Sequence, residues 1–303
     1  MVMAAARLIA LDWGSTRLRA FLLGDSGEVL ATRQSNDGAA TLSGADAYAA
    51  ALAALVGDWR ADHPGIPLLA CGMVGSQYGW REAPYVRCPA DAAGLAAQLL
   101  TLDGQLSIVP GLVDEAAQPD VMRGEETQIV GALALHPELA EDACLVLPGT
   151  HSKWARVKAG RVMGFATHMT GELFALLRQH SVLNRLMPAD GSSPASPEAF
   201  LKGVDAAQQP GGLGHQLFAV RTLGLFKQLS AEQLPDYLSG LLIGHELASE
   251  LQGAQTRVAL IGDPALCARY ARALTHLGQP DPLLLDNTAP AGLWALAQTT
   301  NLN

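Results

Sequence analysis

The chain alternates between two hydrophobic spacings. Residues 7–13 form a short apolar run that ends in Asp12-Trp13-Gly14-Ser15-Thr16. Residues 18–23 form a second run and 28–34 a third, parted by Gly24-Asp25-Ser26-Gly27. Three short runs bounded by turn residues predict a β-meander. Leu52, Leu55, Val56 and Trp59 then recur at helical spacing and predict a helix over 46–59. Apolar runs at 67–73 and 105–110 predict two buried strands, with a stretch punctuated by Gly and Pro at 72–89.

The same order returns later. Residues 143–147 form an apolar run ending in Pro148-Gly149-Thr150-His151-Ser152, and 153–157 and 161–166 predict two more strands joined by Lys158-Ala159-Gly160. A helix is expected over 171–186. The repeat is one of pattern, β-β-β-α, with each first strand running into a turn of small polar residues. Residues 191–197 read as a Ser/Pro-rich loop. Residues 234–251 predict an amphipathic helix with Leu234, Tyr237, Leu238, Leu241 and Leu242 on one face. Gly240 and Gly244 on that helix predict close packing of another backbone. A strand at 257–261, a helix from Pro264 to about residue 277, a strand at 282–285 and a helix at 291–297 complete the expected series.

Composition narrows the class. Of 303 residues 49% are hydrophobic and 16% charged, which excludes global disorder. Net charge is −9, and no basic stripe marks a nucleic-acid partner. No run of about 18 apolar residues suggests a membrane span. The first ten residues read as a strand, not a leader. Cys71, Cys88, Cys144 and Cys267 are far apart and lack zinc-ligand spacing, so free thiols in a reducing cytoplasm are expected.

Two turns stand out chemically. Gly14, Ser15 and Thr16 let a backbone approach an anion, with N–H and O–H groups around a phosphate. Asp12, at the end of the first strand, is placed to hold a hydrated magnesium ion. An ordinary turn with a self-bonded Asp12 is the plainer alternative. Gly149, Thr150 and His151 occupy the matching turn of the second half. Gly262 ends a strand just before the helix opened by Pro264, which suits a loop touching a phosphate or planar ligand. No GxxxxGK[ST] loop exists.

In order along the chain, IALDWGSTRLRAFL (9–22), GMVGSQYGWREAPYVRCP (72–89), VPGL (109–112), VMRGEETQIVGA (121–132), LPGTHSKW (147–154), TGEL (170–173) and LSGLLIG (238–244) resemble the 2-dehydro-3-deoxygalactonokinase family. That family lies within the sugar kinase–actin–hexokinase–heat-shock superfamily. The resemblance implies an α/β protein with two ribonuclease-H-like lobes, the actin-like ATPase fold, around a central nucleotide cleft. Lobes at 1–118 and 119–303 are expected, with the turns at 12–16 and 149–152 facing one another. It implies ATP and Mg2+ as cofactors, and phosphorylation of the terminal hydroxyl of a small sugar acid, 2-dehydro-3-deoxy-D-galactonate.

Hexokinase-like and actin-like second turns begin with Asp, whereas Pro148 stands there in this chain. The resemblance places the catalytic base at the helix start after Arg123-Gly124, with Glu125 ahead of Glu126. Both glutamates also suit a helix N-terminus on charge alone. An anionic substrate needs a cation. Arg123 is the first choice, with Arg17, Arg81 and Lys153 as alternatives. Gly75 and Ser76 are placed in a substrate loop with Arg81. His168 and His245 read as structural. Two alternatives stand beside this reading: a kinase of another ketose or sugar acid such as 2-keto-3-deoxygluconate, and a nucleotide switch of the actin type. No nucleic acid and no membrane partner is expected, and a homodimer is left open.

Overall fold

The computed structural model of the protein describes residues 5–102, 106–116, 118–188, 195–251 and 257–300. Strands β1 (Leu8–Trp13), β2 (Leu18–Leu23) and β3 (Val29–Ser35) form the expected meander. Helix α1 (Ala45–Asp62) follows, then β4 (Leu68–Cys71), β5 (Tyr85–Arg87), α2 (Ala92–Ala96), β6 (Leu100–Thr101) and β7 (Leu106–Ile108). The first sheet has the order β3-β2-β1-β4-β7-β6. All six residues of β1 are buried, as suits a central strand covered on both faces. β1 runs antiparallel to β2 and parallel to β4, with Asp12 opposite Cys71.

Strands β8 (Gly111–Asp114) and β9 (Asp120–Met122) join β5 in a small sheet of order β5-β8-β9. This sheet was not foreseen, because strands of three or four residues carry almost no periodicity. It delivers the chain to α3 (Glu125–Leu135).

Strands β10 (Asp142–Leu147), β11 (Ser152–Lys158) and β12 (Arg161–His168) make the second meander. Helix α4 spans Thr170–His180. It stops six residues before the expected end, because Ser181 turns extended and its hydroxyl accepts the Leu183 N–H to start a short 3-10 turn. The loop expected at 191–197 lies largely outside the described residues. Two helices without a sequence-based expectation follow, α5 (Pro197–Ala207) and α6 (Leu213–Leu225). Then come α7 (Leu234–Glu250), β13 (Arg257–Ile261), α8 (Pro264–His276), β14 (Leu283–Leu285) and α9 (Ala289–Thr300). The second sheet has the order β12-β11-β10-β13-β14. Counting strands within each sheet, both begin 3-2-1-4. The pattern repeat read from sequence is therefore a repeat of topology.

The chain divides into two compact units. One takes the described residues of Met1–Leu145, Ala155–Ala166 and Leu285–Asn303; the other takes Val146–Trp154 and Thr167–Leu284. The division does not follow the boundary expected at residue 118. Helix α3 belongs to the first unit because it packs on α9: a Cβ on Gly131 would lie 2.0 Å from Thr288 O, and one on Gly292 1.9 Å from Thr127 O. In the second unit α5 lies against α7 as the glycine spacing predicted. A Cβ on Gly240 would meet Phe200 O at 1.9 Å, and one on Gly244 would meet Val204 Cα at 3.0 Å. Among the described residues, no helix is long and apolar enough to cross a membrane, and the four cysteines are free thiols.

Candidate active site

In the first unit, three backbones touch at the ends of β1 and β4 and the start of α3. Gly72 has φ +94° and a Cβ there would lie 2.8 Å from Trp13 O. Gly124 has φ +104° and its Cβ would lie 3.1 Å from Gly72 Cα. Only glycine combines a left-handed conformation with such approach. The contact gathers Asp12, Cys71 and the acid pair of α3. Burial first, then the charges of Asp12 and Glu126, push the Cys71 thiol well above its usual value.

Asp12 is buried and pairs with Arg19 Nη2 at 2.6 Å. Burial raises its pKa, and Arg19 opposes that shift. Glu125 is half-buried, and its Oε2 accepts the Arg123 backbone N–H at 3.1 Å. Glu126 is 1% exposed; it accepts Gly124 N–H at 2.6 Å and the Thr127 hydroxyl at 2.8 Å. Burial, then the neighbouring Glu125 charge, raise its carboxyl to about 7.

Arg123 is 9% exposed. Its guanidinium lies 4.3 Å over the Tyr85 ring, and Nη2 donates to Ala83 O at 2.8 Å. Nε and Nη1 have no hydrogen-bond partner. Gly75 borders this group, since a Cβ there would be 3.0 Å from Nη1. Ser76 is buried beside it in sequence. Arg81 and Arg17 are exposed, so the structure does not bring them into this buried cluster. The Gly14–Thr16 turn is closed by Gly14 N–H donating to Arg17 O at 3.0 Å. Ala39 and Ala40 N–H groups hold its Gly14 and Ser15 carbonyls, leaving the Ser15 and Thr16 side chains exposed.

In the second unit, the Gly149–Ser152 turn rests on the start of α4. A Cβ on Gly171 would lie 2.3 Å from Gly149 O, and Glu172 N–H donates to Thr150 O at 3.0 Å. His151 Nε2 pairs with Glu172 at 2.5 Å. Gly262 has φ +133°, and a Cβ there would lie 3.8 Å from Pro148 O, so the strand end of β13 borders the turn. Lys153 is buried and donates to Thr167 Oγ1 at 2.7 Å, which makes it a poor candidate for a free cation. A cavity of about 350 Å³ opens beside the turn, lined by Gly149, Phe174, Asp236, Ser239, Leu266 and Arg269 among others. Its size is that of a small-molecule pocket.

Sequence reasoning missed Tyr85, Arg19 and Glu246. Glu246 had a signal: it continues the i+4 row Leu234, Leu238, Leu242 on the buried face of α7. His168 bonds Glu250 at 2.9 Å and His245 bonds Gln216 at 2.5 Å, in keeping with structural roles. Among the described residues, no three His, Cys, Asp or Glu side chains gather to hold a metal ion.

Two sheets that share the strand order 3-2-1-4, each with a small-residue turn after its first strand, define a nucleotide-binding fold of the actin-like ATPase class. The same fold is seen in the activator of 2-hydroxyisocaproyl-CoA dehydratase from Clostridium difficile, solved with bound ADPNP, at TM-score 0.50 and 13% identity over 97% of this chain and 96% of that one. The chain belongs to the 2-keto-3-deoxy-galactonokinase family, whose model matches residues 12–296. It is 39% identical to the 2-dehydro-3-deoxygalactonokinase of Escherichia coli K12 over 297 residues, 96% of this chain and 98% of that one. A Sinorhizobium meliloti structure described as a 2-dehydro-3-deoxygalactonokinase protein superposes with TM-score 0.86 at 35% identity, covering 96% of this chain and 98% of that one.

Proposed function

We propose that the protein transfers the γ-phosphoryl group of ATP to the terminal 6-hydroxyl of 2-dehydro-3-deoxy-D-galactonate, in the cytoplasm, as a step of galactonate breakdown. Family membership supports the reaction. The observation on the chain itself that carries the substrate class is Arg123. A buried guanidinium with two unfilled donors is costly, and a carboxylate is the group that removes the cost. Tyr85 holds the guanidinium plane from one face, and Gly75 leaves the space at Nη1 open.

Glu125 is assigned as the base that takes the hydroxyl proton as the oxygen attacks phosphorus. It is only half-buried, whereas Glu126 is sealed from any substrate. Glu126 is assigned to shaping the α3 start through Gly124 and Thr127. The Gly14–Thr16 and Gly149–His151 turns, the latter bordered by Gly262, are assigned to the phosphates, and the cavity beside Gly149 to the nucleoside. Magnesium bound to a nucleotide asks the protein for only one or two carboxylates. Asp12 fits: it is one buried carboxylate, already held by a cationic partner, Arg19. A magnesium ion there would neutralise charge on the transferring phosphoryl group.

The test is ADP release measured with 2-keto-3-deoxygalactonate, its gluconate epimer and a neutral ketose. The sugar acids should drive turnover, the galactonate form best. Arg123→Ala should weaken sugar-acid binding by about 2–5 kcal/mol, as for loss of a desolvated charge partner, and leave ATP binding unchanged. Turnover of the neutral ketose alone would overturn the substrate class. ADP release that ignores every acceptor would point to a nucleotide switch.

A further inference from the structure

Glu246, on α7, is 3% exposed, and its four partners in the structure are all neutral. Ser152 Oγ donates to Oε1 at 2.7 Å and Trp154 Nε1 at 2.6 Å. Tyr270 OH donates to Oε2 at 2.8 Å, and Thr170 Oγ1 bonds the same oxygen. Burying a carboxylate without a countercharge is expensive, and hydrogen bonds to both oxygens are what make it tolerable. Well-packed apolar side chains would give as much stability or more at such a place.

The donors come from three separate elements. Ser152 and Trp154 lie at the start of β11, at the exit of the second turn. Thr170 opens α4, whose Gly171 lies flush against Gly149 and Thr150. Tyr270 is on α8, which begins just after Gly262, and it also lines the cavity beside the turn. One side chain thus ties the exit of the turn, the helix it rests on and a wall of its cavity. We propose that Glu246 is a positioning residue that sets the shape of the Gly149–Ser152 turn for nucleotide phosphates. The proposal rests on the assignment of that turn to phosphate.

The chemistry separates positioning from mere charge. In Glu246→Gln the amide oxygen still accepts from Ser152 and Trp154, and the hydroxyls of Thr170 and Tyr270 rotate to accept its N–H groups. Glu246→Leu keeps the volume and removes the acceptor of all four donors, leaving Tyr270 OH only its 3.5 Å contact with Ser152 Oγ. Thr170→Val removes one donor alone and serves if the leucine variant does not fold. Gly149→Ala tests the turn independently, because apart from chain neighbours a Cβ there meets nothing closer than 3.8 Å.

ADP affinity is measured by calorimetry, with the KM for ATP and for sugar acid, on the full chain. The indole N–H resonance of Trp154 is followed by NMR. Glu246→Leu, or Thr170→Val in its place, should weaken ADP and raise the ATP KM by about tenfold or more, with the sugar-acid KM within about twofold. Glu246→Gln should stay within about threefold of the native protein for ADP. The Trp154 indole signal should move on ADP addition in the native protein and lose that response in the leucine variant. If Gly149→Ala weakens ADP while the Glu246 and Thr170 variants bind it normally, the positioning role is overturned and the phosphate turn stands. If Gly149→Ala also binds ADP normally, the turn assignment fails and takes the proposal with it. Equal losses for ATP and sugar acid overturn it in favour of a purely structural carboxylate.

Discussion

The two sheets share the strand order 3-2-1-4 but equip their first turns differently. In the first unit the carboxylate is on the strand itself: Asp12, next to last in β1, paired with Arg19 one strand over. In the second unit Pro148 follows β10, and the buried carboxylate comes from a helix far along the chain, Glu246. The first carboxylate is held by a cation that is partly in solvent, Arg19. The second is enclosed by four neutral donors. The same topology therefore carries one turn beside a carboxylate paired with a cation and one beside a carboxylate fixed by neutral groups.

The contrast extends to a second pair of buried carboxyls. Glu126 accepts two hydrogen bonds and sits beside Glu125, and its carboxyl rises to about 7. Glu246 has twice as many donors and no carboxylate among its partners.

The largest effect should come from Glu125→Gln, which keeps shape but cannot take the hydroxyl proton. Its kcat should fall by about 10²–10⁴-fold with little change in sugar-acid KM. A near-native rate there, with collapse in Glu126→Gln, would move the base one residue along.

Next is the stability of Glu126→Gln against pH. A carboxyl raised from 4.5 in the unfolded chain to about 7 in the fold gives stability that is present below pH 4.5. That stability is lost as pH rises through 7. The native protein therefore carries a penalty on the order of 3 kcal/mol at pH 8. Denaturant melts should find Glu126→Gln more stable than native at pH 8 and equal to it near pH 4.5. Equal curves at both pH values would mean that Glu126 is already ionised and well solvated in the fold.

Asp12→Asn removes the charge on which the contrast between the turns depends. A loss of about 10²-fold in kcat at saturating magnesium is expected. A loss under about tenfold would leave Asp12 as a turn residue and make the two turns alike.

The smallest effects compare the turns directly. Gly14→Ala and Gly149→Ala both fit sterically, the nearest atoms lying at 3.7 Å and 3.8 Å from the new Cβ. Each should raise the ATP KM by about tenfold with melting temperature almost unmoved. A rise for one variant alone would assign phosphate contact to that turn only.

Local pattern was enough for much of this molecule. Strands β2 and β13 lie where the apolar runs placed them, because the buried positions of a strand must be apolar and turn residues must bound it. The repeated β-β-β-α pattern was legible along the chain, and the shared 3-2-1-4 strand order came only with the fold. Gly240 and Gly244 announced the close approach of α5 and α7. Asp12 was legible as a candidate because a carboxylate at a strand end is a local feature, and Glu125 came forward only through the family resemblance. The state of Arg123, Glu126 and Glu246 was not legible. An arginine with two unfilled donors, a carboxyl near neutral pKa and a carboxylate held by four hydroxyl and indole donors depend on residues up to 94 positions away. Spacing along the chain reports which face a side chain occupies. Whether that face is dry, and which donors meet there, follows only when distant segments pack, because desolvation and hydrogen bonding are properties of the assembled surroundings.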